Sequence, residues 1–258
     1  MAGSSEEGVR RGPKGGRARR AGLVLLLGLF GAAAVPRAQA ADGPPAAPAA
    51  EDSPAVRALF ETPHLATITH PVTLTYAYTR QGPDGFTDLV REDIKIVHPD
   101  GTKYVMFNFL SGAHHVYYPA LDGYRGNPVF MVFLEHDVNE MRDETGIAAA
   151  YYRNRIREAF LQGAEVARTP VKFDGREVAA TTVTLHPFRG DARFTHLPQI
   201  ANKSYRFVLS DAVAGGILEI ATDMPADPAE GLPERGEKLT FQTVADDSVT
   251  DGSKGTGP

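Results

Sequence analysis

The stretch 126-GNPVFMVFLEHDVNEMRDETG-146 decides how this chain folds. Six apolar residues in a row, Val129 to Leu134, give way to an acidic segment with His136 at the pivot. Asn127 offers a side-chain acceptor for a helix start, Pro128 suits the first helical position, and Gly146 offers a left-handed stop. One helix is therefore predicted across these residues. Glu135 ends the apolar run far short of the ~20 residues that cross a bilayer. Phe130, Leu134, Val138 and Met141 recur at i, i+4, i+8 and i+11, which makes one stripe. Val129, Met131, Val132 and Phe133 make the first two turns apolar all round, and such a helix is enclosed on every side. His136 and Glu140 share a helix face. Two donors on one helix fall short of the three or four that zinc requires, even with His114 and His115 elsewhere. A solvated pair and no metal are expected.

Outward from this helix, the ends of the chain read differently. Residues 1–20 carry Arg10, Arg11, Lys14, Arg17, Arg19 and Arg20, followed by the apolar run 21-AGLVLLLGLFGAAAV-35 and by Ala38-Gln39-Ala40. A basic region, a short apolar core and a small-x-small site predict a signal peptide over residues 1–40, cleaved after Ala40, and hence the periplasm. Without those residues, 20 Lys and Arg stand against 30 Asp and Glu. That acidic balance argues against a nucleic-acid partner, which needs a basic footprint. The chain has no cysteine. Disulfides are excluded, so an apolar core must hold the fold, and no cysteine is present to carry a lipid anchor. A Pro/Ala-rich linker is expected over 41–53, a single domain over 54–245, and a polar, glycine-rich tail over 246–258.

Asp-Gly pairs at 84–85, 100–101 and 174–175 each separate runs rich in β-branched and aromatic residues, and each predicts a hairpin. In 73-TLTYAYTR-80, Leu74, Tyr76 and Tyr78 alternate with threonines, the period of a strand with one buried face. Tyr205, Phe207 and Leu209 repeat that pattern. About four strands precede residue 119 and about five follow residue 163. Between them lies a second helix, 148-AAAYYRNRIREAFLQG-163, with Tyr152, Ile156, Ala159 and Phe160 as its apolar stripe. A short helix with Ser53 as N-cap opens the domain. Antiparallel strands around a helical insertion make an α+β fold.

The strand 103-KYVMFNF-109 is apolar on both faces, with Val105, Phe107 and Phe109 on one and Tyr104 and Met106 on the other. Phe107, Phe109, Tyr117, Phe130, Phe133 and Leu134 are the candidates to line an apolar groove; plain core packing is the alternative. Arg153 and Arg157, one helical turn apart, are candidate contacts for an anion, with a solvated helix face as the alternative. No G-x-S-x-G elbow, P-loop or G-x-G-x-x-G follows a strand, so no catalytic residue and no cofactor is expected.

The order of export signal, short helix, antiparallel strands, helical insertion and further strands resembles the LolA-like superfamily, which includes lipoprotein carriers and lipid-sensing regulators. The resemblance implies a strongly curved antiparallel sheet, an incomplete β-barrel, with the two-helix insertion packed on its concave face. It also implies a soluble periplasmic carrier or binding protein for an acyl chain, a lipid or a lipidated protein. An envelope protein would be a further partner, and no stable membrane anchor is implied. A regulatory or protein-interaction module is the alternative, and an undetected hydrolase a third. Function inferred from fold alone is analogy.

Overall fold

The computed structural model describes residues 53–247. The expected export signal, nearly all of the linker and most of the tail lie outside the described residues. Ser53 accepts a hydrogen bond from the Val56 amide at 3.4 Å and opens a turn of helix, α1 (Pro54–Val56), which runs into a π-helical turn at Arg57–Glu61. Four strands follow: β1 (Val72–Gln81), β2 (Phe86–Val97), β3 (Lys103–Phe109) and β4 (Leu121–Tyr124). Helices α2 (Val129–Thr145) and α3 (Ala149–Gln162) come next. Strands β5 (Glu165–Phe173), β6 (Arg176–Leu185), β7 (Ser204–Leu209), β8 (Ile217–Met224) and β9 (Arg235–Asp246) complete the chain, with the short α4 (Pro198–Ala201) between β6 and β7.

All nine strands form one antiparallel sheet in the order β4-β3-β2-β1-β9-β8-β7-β6-β5. Strands β4 and β5 are free edges, so the sheet is open, and the fold is the α+β curved sheet that the LolA-like resemblance implies. The first and last strands meet at its centre, where Tyr76 pairs with Phe241 beside a register shift. Val72, Leu74, Tyr76 and Tyr78 alternate with half-buried residues along β1, as the period of two requires.

Turn chemistry agrees with the sequence at two hairpins and departs at one. Asp174 and Gly175 both have positive φ, 48° and 72°, the two-residue loop expected of Asp-Gly. Gly101 supplies the positive φ between β2 and β3. Between β1 and β2, Gly82 takes the positive φ instead of Asp84-Gly85. Gly85 is needed there for close approach, because a Cβ would sit 3.0 Å from the carbonyl oxygens of Arg80 and Gly82.

Helix α2 starts within one residue of its predicted caps, with Pro128 rather than Asn127 at the N-cap position. The Asn127 side chain accepts from the Val129 amide at 2.9 Å, and Gly146 closes the helix with φ 74°. Its burial goes further than a stripe. Ten of its residues are buried, Glu135, His136 and Asp137 among them. The expected solvated His136–Glu140 pair is therefore incorrect: His136 is 7% exposed and packs 4.9 Å from the Phe109 ring and 6.3 Å from Tyr78. The sheet curves around the helix and removes its wet face. On β3 the reverse happens, since Met106 is 44% exposed and its apolar inward residues are Val105, Phe107 and Phe109, with Lys103 beside them on the same face. Phe60 wedges between Phe130 and Phe160 at 5.1 and 5.2 Å and ties the N-terminal turn to both helices. No described helix is long and apolar enough to cross a membrane.

Candidate functional site

Five of the six sequence-derived groove residues lie in the core. Phe107 and Phe109 on β3 and Phe130, Phe133 and Leu134 on α2 are buried, whereas Tyr117 is 62% exposed beyond the end of β3. None of the six lines either of the two pockets described below. Arg153 makes a bidentate pair with the buried Glu135, at 2.6 and 2.9 Å, so its guanidinium is committed within the protein. Arg157 is exposed.

The larger pocket, of about 660 Å³, lies between the N-terminal turn and strands β5, β6 and β7. Small residues contribute to its lining, among them Ala58, Thr169, Pro170, Ala179 and Ala180. Val166 and Leu209 extend the apolar wall, and Arg57, Arg168, His64 and Asp211 supply charge and hydrogen-bonding capacity at its margin. His64 Nε2 lies 2.9 Å from the Ala58 carbonyl oxygen, and burial lowers the imidazole pKa despite that bond. Gly216, with φ 71°, lets the chain pass the imidazole; a Cβ there would lie 2.6 Å from His64 Nδ1. The volume falls within the range of small-molecule sites, about 300–1,000 Å³.

A second pocket, of about 340 Å³, is lined mainly by charged side chains. Arg80 of β1 bridges Glu140 of α2 and Glu237 of β9. Beside it, Asp137 pairs with Lys203 and accepts from the Tyr205 hydroxyl at 2.5 Å. Burial disfavours ionised Glu140, but the Arg80 hydrogen bond and then His136 outweigh it and bring the pKa to about 2. Burial and the Glu140 charge push the deeper Glu237 up to about 8.

Reading motifs overlooked these charged residues, yet strand parity carries them. Arg80 shares the inward parity of Leu74, Tyr76 and Tyr78; Glu92 that of Val90 and Ile94; Lys103 that of Val105 and Phe107. Lys203 precedes Tyr205 by two, and Glu237 precedes Leu239 and Phe241 by two and four. A charge at an inward position was the available signal. Which charges meet one another is a matter of sheet order.

No protein-family model and no curated protein matches the sequence. Solved structures with similar architecture include lipoprotein LppX of Mycobacterium tuberculosis, at 10% identity and TM-score 0.30, covering 74% of this chain and 93% of that one. A putative outer membrane lipoprotein-sorting protein domain from Vibrio parahaemolyticus matches at 9% identity and TM-score 0.22, over 71% of this chain and 88% of that one. A LolA superfamily protein from Nitrosomonas europaea matches at 9% identity and TM-score 0.20, over 74% and 93%. At these scores the likeness transfers no residue role and no ligand.

Proposed function

We propose that this protein is a non-catalytic periplasmic carrier or binding protein for an amphipathic ligand, an acyl chain with a polar or anionic end, and that the 660 Å³ pocket receives it. The supporting observation is the pocket itself: a ligand-sized volume between α1 and β5–β7, with Val166, Pro170, Ala180 and Leu209 on its wall and Arg168 at its margin. An apolar chain buried there contributes about 0.8 kcal/mol per methylene, and a guanidinium at the margin adds a charge-assisted bond to an anionic end. Phe107, Phe109, Phe130, Phe133 and Leu134 enter this reading only through an open form in which α2 lifts from the sheet, since α2 and the sheet now bury them.

Displacement of an apolar fluorescent probe by fatty acids of increasing length tests the proposal. Affinity should climb with chain length and then level off as the pocket fills. Ala179→Trp, at an exposed position on the pocket wall, should abolish uptake, whereas Leu134→Ala should leave the chain-length profile in place. Uptake that survives Ala179→Trp and changes with Leu134→Ala would place the ligand under α2 instead. Absence of any chain-length dependence would overturn the carrier reading and favour a protein-interaction module.

A further inference from the structure

One titratable cluster lies apart from the 660 Å³ pocket, beneath α2. His136 and Glu140, a helical turn apart, meet Glu237 from β9, and one donor atom from each lies within 4.8 Å of the other two. The sequence offered only the pair on the helix; the sheet supplies the third member. His136 Nε2 is 3.6 Å from Glu140 Oε1 and 3.9 Å from Glu237 Oε1, too far for hydrogen bonds. His136 Nε2 and Glu237 Oε2 are both buried with no hydrogen-bond partner among the described residues. Buried polar atoms are rarely left in that state without an ion or water to satisfy them.

We propose that His136, Glu140 and Glu237 form a binding site for one divalent transition-metal ion. Arg80 is compatible with this role because it engages only one oxygen of each carboxylate, Oε2 of Glu140 and Oε1 of Glu237. The other oxygen of each, Oε1 of Glu140 and Oε2 of Glu237, makes no hydrogen bond to Arg80. The guanidinium then orients the carboxylates from outside, as outer-shell partners of metal ligands do. One guanidinium against two carboxylates leaves the cluster favourable to a cation. Phe109 and Tyr78 pack on the imidazole and hold its orientation. An imidazole nitrogen with two carboxylates suits Zn²⁺ or Co²⁺ better than Mg²⁺ or Ca²⁺, which prefer all-oxygen shells. Glu140 and Glu237 both border the 340 Å³ pocket, so a fourth coordination position would open on it for water or an anionic group.

The test uses the exported chain, ZnCl2 alone and CoCl2 alone. Calorimetry and elemental analysis after dialysis should give one Zn²⁺ per chain, and the thermal midpoint should rise with metal and fall with chelator. Co²⁺ should show the visible absorption of a four- or five-coordinate site. Glu140→Gln, at a part-exposed position, and Glu237→Gln should each weaken binding at least tenfold, and His136→Ala should do so if it folds. Replacing His114 and His115 together should leave binding unchanged. Failure to retain stoichiometric metal, or retention that survives both glutamine substitutions, would overturn the site. The fatty-acid displacement assay reads the other pocket and is unaffected by either outcome.

Discussion

Glu92 on β2 is fully buried, accepts a 3.4 Å hydrogen bond from the Tyr76 hydroxyl, and its second oxygen has no hydrogen-bond partner among the described residues. Burial pushes its pKa from 4.5 up to about 8, and the Tyr76 bond only partly opposes this. Between those values the folded chain keeps a proton that the unfolded chain has released, so unfolding releases a proton and stability falls as pH rises. The contribution is fully present below about pH 4.5 and gone above about pH 8, and amounts to a few kcal/mol. Urea unfolding from pH 5 to 9 should show this decline in the natural chain and a flatter profile in Glu92→Gln. The difference between the two chains isolates Glu92 from the other buried acids; equal slopes would count against it. At this scale the sequence already marked the site, because Glu92 sits in register with Val90 and Ile94. What it lacked was the enclosing helix that turns an inward position into a dry one.

Among elements, α2 shows how local signals and packing divide the work. Its start and stop follow from Asn127, Pro128 and Gly146, and each is visible in the sequence. Asn127 does more than cap. Its Nδ2 donates to the Tyr76 hydroxyl at 3.1 Å and to the Gly215 carbonyl at 3.0 Å, joining the helix to β1 and to the turn before β8. Gly215 must be glycine for this contact, since a Cβ there would lie 2.8 Å from Asn127 Nδ2 and 2.6 Å from Leu74 Cδ1. Asn127→Ala removes a cap and strands two buried partners, and should cost about 2–4 kcal/mol in chemical denaturation. Asn127→Asp keeps the acceptor and loses the donor, so it should recover only the capping share. A cost below about 1 kcal/mol for the alanine variant would show that the helix is held by apolar packing alone.

For the whole molecule, the β1–β9 pairing is decisive. It joins Val72 to Asp246 and unites a four-stranded half, β4-β3-β2-β1, with a five-stranded half, β9-β8-β7-β6-β5, into one sheet. Contacts of such large sequence separation form late and slowly. A chain ending after Pro233 lacks β9, exposes the facing edges of β1 and β8, and uncovers Tyr76 and Leu74. Such a chain should lose cooperative thermal unfolding by circular dichroism and should aggregate through its open edges. Adding residues 234–247 in trans as a peptide should restore part of the lost signal. A cooperative transition in the truncated chain would mean that one half folds alone.

The sequence by itself determined the class of fold, because that information is local. Period-two alternation, Asp-Gly turns and helix caps act within a few residues, so strands, helices and the inward face of each strand could be read in order. Tyr205, Phe207 and Leu209 turn inward as their spacing requires. Only the tertiary structure decided what those inward faces meet. Glu237 stands beside Glu140 and Arg80 because β9 lies next to β1, and the 660 Å³ pocket exists because the N-terminal turn stands over the small residues of β6. The physical reason is that burial, charge pairing and cavity shape depend on neighbours far apart in the chain, such as Arg80 with Glu140, 60 residues away, and with Glu237, 157 residues away. No local period encodes such partners.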